Sequence, residues 1–183
     1  MRAFFAFELP DSLREELAGL IDEASRLCPR NVKWVEPENL HITLQFLGDI
    51  NDADIPGLDT FFTEAVGEYE AFPITKPKVD IVPGKSPRVI WTAFDTEYRH
   101  IFTLPAKILY YLEHQGYRDL DHKPLKLHAT LGRVNAPLPP ELISRLIGYR
   151  VVNRTGTVDT ITLYKSTLRP QGPVYTPLYD YGL

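Results

Sequence analysis

The chain has 183 residues, 44% of them hydrophobic and 24% charged, with a net charge of −4. That size supports one generous hydrophobic core. The acidic balance argues against a general nucleic-acid coat, which needs a dominantly basic surface, but leaves room for a local basic groove. No apolar run approaches the roughly 18 residues of a membrane-spanning helix. The opening Met1–Glu8 segment meets charge too early for a signal peptide. The single cysteine, Cys28, excludes an internal disulfide and reads as a packing residue. The expected location is cytoplasmic.

Ala3 to Glu8 reads as a strand. Pro10-Asp11-Ser12 then opens a helix with capping residues at its start. Leu13, Leu17, Leu20, Ile21, Ala24 and Leu27 recur at helical spacing, and Cys28-Pro29-Arg30-Asn31 ends the helix. Val32–Val35 is a short strand, Glu36–Asn39 a turn, and a strand from Leu40 runs to Gly48-Asp49. Leu58–Tyr69 suits a second helix. Phe72–Val82 is extended, with Pro73 and Pro77 breaking it into edge-like pieces. Pro83-Gly84-Lys85-Ser86-Pro87 is a loop and Val89–Phe94 a strand. A helix follows to about His114, closed by Gly116, with Pro105 either in its first turn or kinking it. After the strand at Leu127–Leu131, Pro139-Pro140-Glu141 opens a short helix through Ile147. Val151–Tyr164 and Val174–Tyr181 are strand-like, separated by the turn Arg169–Pro173.

The order strand, helix, crossing segment, strand occurs in residues 3–47 and again in 89–132. Thirteen residues separate the end of the helix from a histidine in both copies, Cys28 to His41 and Gln115 to His128. A repeat of this kind relates two lobes by a pseudo-two-fold axis. The whole chain, 1–183, then reads as a single bilobal α+β domain.

The strand closing each copy carries the same pattern, Leu40-His41-Ile42-Thr43-Leu44 and Leu127-His128-Ala129-Thr130-Leu131. In a strand, residues i and i+2 share a face. His41 and Thr43 therefore point one way and their apolar neighbours the other, as do His128 and Thr130. Chance alone, with five histidines and about one Thr in twenty, gives roughly a quarter of one such match. Two matches flanked alike are far rarer.

Paired imidazoles suit the opening of a phosphodiester or cyclic phosphate. One oxygen must lose a proton and another must gain one, and histidine does either near neutral pH. Threonine hydroxyls can donate to the non-bridging oxygens, where charge is stabilised in the transition state. This chemistry needs no metal and no other cofactor. A zinc site is the competing reading, but His100, His114 and His122 lack ligand spacing and Cys28 is isolated; those three histidines read as surface residues.

Arg133 could bind phosphate or stack on a base. Strict alternation puts it on the face opposite His128. Gly132 could relieve this by a bend or a bulge. The equivalent residue in the first copy is Phe46, so the two halves differ chemically. Asp121-His122-Lys123, Lys85, Arg88, Lys126 and Lys165 are further charges within possible reach of a substrate, each equally an ordinary surface group.

The segments Asn39–Gly48 and Leu127–Arg133 resemble the two signatures of the two-histidine phosphoesterase superfamily. Within it, the chain is similar to the RNA 2′,3′-cyclic phosphodiesterases, also called the 2′-5′ RNA ligase family. The opening Arg2–Phe7, Val32–Val35, Arg88–Trp91, Ser166–Arg169 and Gly172–Tyr175 extend the likeness along the chain. The resemblance implies two pseudo-symmetric lobes of antiparallel sheet, helices outside and a central cleft. It implies cofactor-free hydrolysis of RNA 2′,3′-cyclic phosphate ends to 2′-phosphate ends, on partners such as tRNA halves, by a monomer away from membranes. By position it gives His41 and His128 as the catalytic pair, with Thr43, Thr130 and Arg133 binding substrate; for roles, His41 is read as proton donor and His128 as proton acceptor. The residues alone allow the reverse direction of proton flow. Two other functions compete: 2′-5′ ligation of tRNA halves, and a non-catalytic RNA- or nucleotide-binding module.

Overall fold

A computed structural model describes residues 1–83, 85–170 and 172–183. Among these residues, nine strands and four α-helices run in the order β1 (Arg2–Glu8), α1 (Asp11–Leu27), β2 (Val32–Trp34), β3 (His41–Asp49), α2 (Ile55–Val66), β4 (Phe72–Val82), β5 (Val89–Asp95), α3 (Leu104–His114), β6 (His128–Val134), α4 (Pro140–Gly148), β7 (Thr155–Val158), β8 (Thr160–Arg169) and β9 (Gly172–Gly182). The strands form one antiparallel sheet ordered β7-β4-β5-β6-β3-β1-β8-β9, with β2 added alongside β6. The class is α+β, as expected. The lobes are two halves of a single sheet, joined by the pair Ile42–Ala129 between β3 and β6.

The internal repeat holds at the level of topology. β1 pairs β3 in one half and β5 pairs β6 in the other. A helix follows β1 and β5, ending at Leu27 and His114 respectively, at the same offset from each strand histidine. The helices cover the face opposite the histidines. Phe5 and Phe7 on β1 are fully buried, and Phe5 stacks on Phe62 of α2 with ring centroids 3.9 Å apart. Their alternate neighbours Phe4, Ala6 and Glu8 are left for the histidine face, where Ala6 lies opposite Thr43 and Glu8 opposite His41.

Local departures have local causes. In α1 the residues Leu13, Leu17, Leu20, Ile21 and Ala24 are buried, but Leu27 at the last turn is exposed and Cys28 is buried instead. Pro10 occupies the cap position of α1, and neither Asp11 nor Ser12 makes a side-chain capping bond. The second helix starts earlier than its apolar pattern implies, at Ile55. Pro56 fits its first turn, where no intrahelical N–H is required. β4 is one strand despite its prolines. β7 pairs only with Phe72–Thr75, so Pro77 lies where that flank is unpaired, beside a register shift and Lys76 at φ 50°. The Val151–Tyr164 stretch divides into β7 and β8 around Asp159. Gly84 and Gln171, in the two expected turns, lie outside the described residues.

Candidate active site

The pair Ile42–Ala129 is the middle residue of one motif facing the middle residue of the other. Directly opposed residues of an antiparallel pair share a face. Extending the register by one residue each way sets His41 beside Thr130 and Thr43 beside His128. A cavity of about 280 Å³ is lined by both Thr43 and His128, together with Phe46, Gln45, Asp121, Lys123, Leu125 and Lys126.

Each imidazole is anchored the same way. His41 Nδ1 lies 2.7 Å from the Asn39 carbonyl oxygen, and His128 Nδ1 lies 2.9 Å from that of Lys126, two residues upstream in both cases. A carbonyl only accepts, so Nδ1–H donates and Nε2 is left to exchange a proton. In the first copy Nε2 is also 3.1 Å from Thr43 Oγ1. The anchoring backbone is itself held: Arg14 Nη1 donates to the Leu40 carbonyl (2.8 Å), and Asn39 Nδ2 donates to that of Pro173 (3.3 Å).

The rings pack on aromatics. His41 lies 5.1 Å from Phe4 and meets Tyr175 edge-on at 5.4 Å, while His128 lies 4.6 Å from Trp91. Burial pushes both imidazoles below their ordinary pKa, opposed in each by the carbonyl that accepts from Nδ1. At His41 the Glu8 carboxylate raises the value, whereas His128 and Arg14 lower it. At His128 the remaining contributions come from the Lys126 and Arg133 cations, and both lower it.

A bulge resolves the position of Arg133. Trp91 pairs with Thr130 and Ile90 with Gly132, so Leu131 is the extra residue on β6. Leu131 and Gly132 are both buried, and Arg133 returns to the exposed histidine face. The carbonyl of Leu131 accepts from Val35 N (2.9 Å), and β2 runs alongside with Lys33 opposite Arg133. Gly132 is required for this close approach: a Cβ there would lie 2.5 Å from Val32 Cγ1 and 3.0 Å from Trp34 Cε3. The first copy repeats the device. Ala6 pairs with Thr43 and Phe5 with Gln45, so Leu44 is the extra residue and Phe46 reaches the histidine face. Phe46 is 48% exposed, an uncommon state for so large an apolar ring beside a cavity.

The structure places His41, Thr43, His128, Thr130 and Arg133 on one face of the sheet, and of these Thr43 and His128 line the cavity. It adds Phe46, Trp91, Tyr175 and Glu8. Aromatic residues in the segments that carry the family likeness were the available signal for Trp91 and Tyr175. Of the other charges considered, Lys126 and Lys123 line the cavity, and the Asp121 carbonyl accepts from Gln45 Nε2 (2.6 Å). His100, His114 and His122 lie exposed on the surface. Among the described residues, no group of three or more His, Cys, Asp or Glu is placed to hold a metal ion.

A bisected sheet with mirrored His-x-Thr strands defines a two-histidine phosphoesterase. The LigT-like phosphoesterase family model matches residues 7–91. The chain is 30% identical to the RNA 2′,3′-cyclic phosphodiesterase of Methanothermobacter thermautotrophicus, covering 100% of this chain and 99% of that protein. It is 32% identical to the protein of the same name from Archaeoglobus fulgidus, over 97% and 98% of the two chains. It superposes on TT0787 of Thermus thermophilus with a TM-score of 0.79 and 27% identity, covering 100% and 98%. Against E. coli LigT the TM-score is 0.71 at 25% identity, covering 99% and 96%. The chain belongs to the RNA 2′,3′-cyclic phosphodiesterase family of LigT-like phosphoesterases. No helix is long and apolar enough to cross a membrane among the described residues.

Proposed function

We propose that this protein hydrolyses RNA 2′,3′-cyclic phosphate ends to 2′-phosphate ends. The observation that carries the reading is the Ile42–Ala129 pair, which relates the two motifs by a local two-fold axis through one point. A phosphate bound at that point meets an imidazole and a hydroxyl from each half of the sheet. The family relationship supports the substrate class.

In this reading the whole chain acts as one unit and as a monomer, on RNA ends in the cytoplasm. His128 Nε2 takes a proton from water as the water oxygen attacks phosphorus. The bond from phosphorus to the 3′-oxygen breaks, and His41 Nε2–H delivers a proton to that oxygen. The phosphate remains on the 2′-oxygen. Thr43, Thr130 and Arg133 donate hydrogen bonds to the non-bridging oxygens, where negative charge builds as the ring opens. Phe46 offers its exposed face to a base at the rim. His128 ends protonated and His41 neutral, and exchange with solvent restores the starting state. Both imidazoles are depressed by burial, so neither is locked in its charged form at neutral pH.

The test is incubation with an RNA oligonucleotide ending in a 2′,3′-cyclic phosphate, in chelator, alongside paired RNA halves bearing cyclic-phosphate and 5′-hydroxyl ends. Ring opening is expected, with His41→Ala and His128→Ala each losing roughly 10²- to 10⁴-fold in rate. Accumulation of joined halves without hydrolysis would favour ligation. Tight binding of the cyclic end with no turnover would mark a binding module.

A further inference from the structure

The two histidines are alike in sequence and anchoring, yet their cross-strand neighbours differ. On β1, Glu8 is the residue directly opposite His41. On β5, the matching residue opposite His128 is Ala93. Directly opposed residues share a face, so the first imidazole has a carboxylate beside it and the second has a methyl group. Glu8 is held in place at both oxygens. Arg14 Nη2 donates to one at 2.8 Å, and the Tyr164 hydroxyl donates to the other at 2.7 Å. Both members of the Glu8–Arg14 pair are about three-quarters covered, which limits solvent screening.

We propose that Glu8 is the positioning residue that keeps the resting proton on His41 and so sets the direction of proton flow through the pair. The inference rests on the function proposed above and adds what distinguishes its two halves. The charged groups around His41 are Glu8 from β1, Arg14 from α1 and His128 from β6. The neutral phenols are Tyr175 from β9 and, behind Phe4, Tyr164 from β8. Arg14 is cationic and works against Glu8. Its guanidinium is committed at one nitrogen to Glu8 and at another to the Leu40 carbonyl. Around His128 stand Lys126 beside it in sequence and Arg133 beyond the bulge, both cationic, with uncharged Trp91 and Ala93 on β5. One proton shared between two mutually repelling imidazoles therefore rests on the side that holds a carboxylate. Burial works against charge on both imidazoles, so the carboxylate acts on the difference between them: it makes His41 the donor side of the pair and leaves His128 to accept. Tyr164 has a second part in this arrangement. Its phenol stays protonated, because burial and the Glu8 contact push its pKa up, so it remains a donor that fixes the carboxylate.

The experiment is site-resolved NMR titration of the two imidazoles in the full-length protein, paired with pH–rate profiles on a cyclic-phosphate RNA. Wild type should show His41 titrating above His128. Glu8→Gln keeps the shape and an acceptor for Tyr164 but removes the charge. It should lower the His41 midpoint, leave His128 nearly unmoved and shift the alkaline loss of activity to lower pH. Glu8→Asp should restore part of both changes. A purely structural role for Glu8 would instead scale the rate at all pH values and leave the midpoints in place, which overturns the proposal. Ala93→Glu provides the converse without stranding Arg14: it should raise the His128 midpoint, and no change there also overturns the cross-strand argument. Absence of ring opening by wild type overturns the proposed function, whereas an unmoved His41 midpoint in Glu8→Gln overturns the role of Glu8.

Discussion

Replacing Gly132 with alanine tests how the bulge on β6 delivers Arg133 to the histidine face. An added Cβ would sit 2.5 Å from Val32 Cγ1 and 3.0 Å from Trp34 Cε3. Neither neighbour yields easily. Val32 is β-branched and only 3% exposed, and Trp34 is tied by its indole N–H to the Cys28 carbonyl at 3.0 Å. The clash must therefore move β2 as a unit. Overpacking of this kind costs about 1–3 kcal/mol, which for a chain of this size lowers Tm by roughly 2–12 °C. β2 carries Lys33 opposite Arg133, so its displacement also moves the guanidinium. Loss of one charge-assisted hydrogen bond to phosphate is worth about 1.5–3 kcal/mol, or roughly 10- to 100-fold in kcat/KM. Thermal melts and steady-state kinetics on a cyclic-phosphate RNA read both effects. Arg133→Ala should reproduce the kinetic loss without the thermal one. Val32→Ala in the Gly132→Ala background should recover part of both, giving a measurable coupling between the two sites. A Gly132→Ala protein with unchanged Tm and kcat/KM would refute the close-approach argument.

Three other outcomes are expected. Phe46→Ala removes a half-exposed ring, so it should raise KM severalfold for RNA ends while leaving stability within about 0.5 kcal/mol of wild type; equal KM values would remove Phe46 from the binding surface. Phe62→Ala opens a cavity under the fully buried stack with Phe5 and should cost about 3–5 kcal/mol, read by chemical denaturation. Both imidazoles sit below their ordinary value in the folded state, so the unfolded chain binds more protons below about pH 6.5. Stability should therefore fall as pH drops through that value, and a His41→Asn/His128→Asn double variant should flatten this part of the Tm–pH curve. An equally steep curve in the double variant would place the effect elsewhere.

The parts of this molecule that were legible in the sequence are those governed by one element's own periodicity. Alternation located both motif strands and put each histidine with its threonine. Helical spacing found the buried stripe of α1, and the equal offsets from helix end to histidine revealed the repeat that the β1–β3 and β5–β6 pairings express. What escaped depends on partners. The face taken by Arg133 turns on one extra residue, Leu131, whose carbonyl is satisfied by Val35 from a strand about a hundred residues earlier. Two consecutive buried residues followed by an exposed one are compatible with several backbones until that partner is known. The pairing of Glu8 with His41 is likewise a matter of register, invisible from either strand alone. Two elements run through prolines that a sequence pattern treats as breaks: Pro77 lies on a flank of β4 with no partner, and Pro56 fits the first turn of α2. Both positions spare the N–H that proline lacks.

The mirrored pair of motifs is also why the chemistry was legible before the geometry. One proton-transfer group and one hydroxyl, each present in two copies, specify a symmetric substrate centre such as phosphorus. The asymmetry of Phe46 against Arg133, and of Glu8 against Ala93, supplies the polarity that such a centre lacks. The most direct test follows the phosphate itself. A short RNA bearing a 2′,3′-cyclic phosphate is converted by wild type in chelator, and the product is observed by phosphorus NMR. A single 2′-phosphomonoester is expected, with its loss in both His41→Ala and His128→Ala. A 3′-phosphate product, or near-normal turnover in either variant, would contradict it.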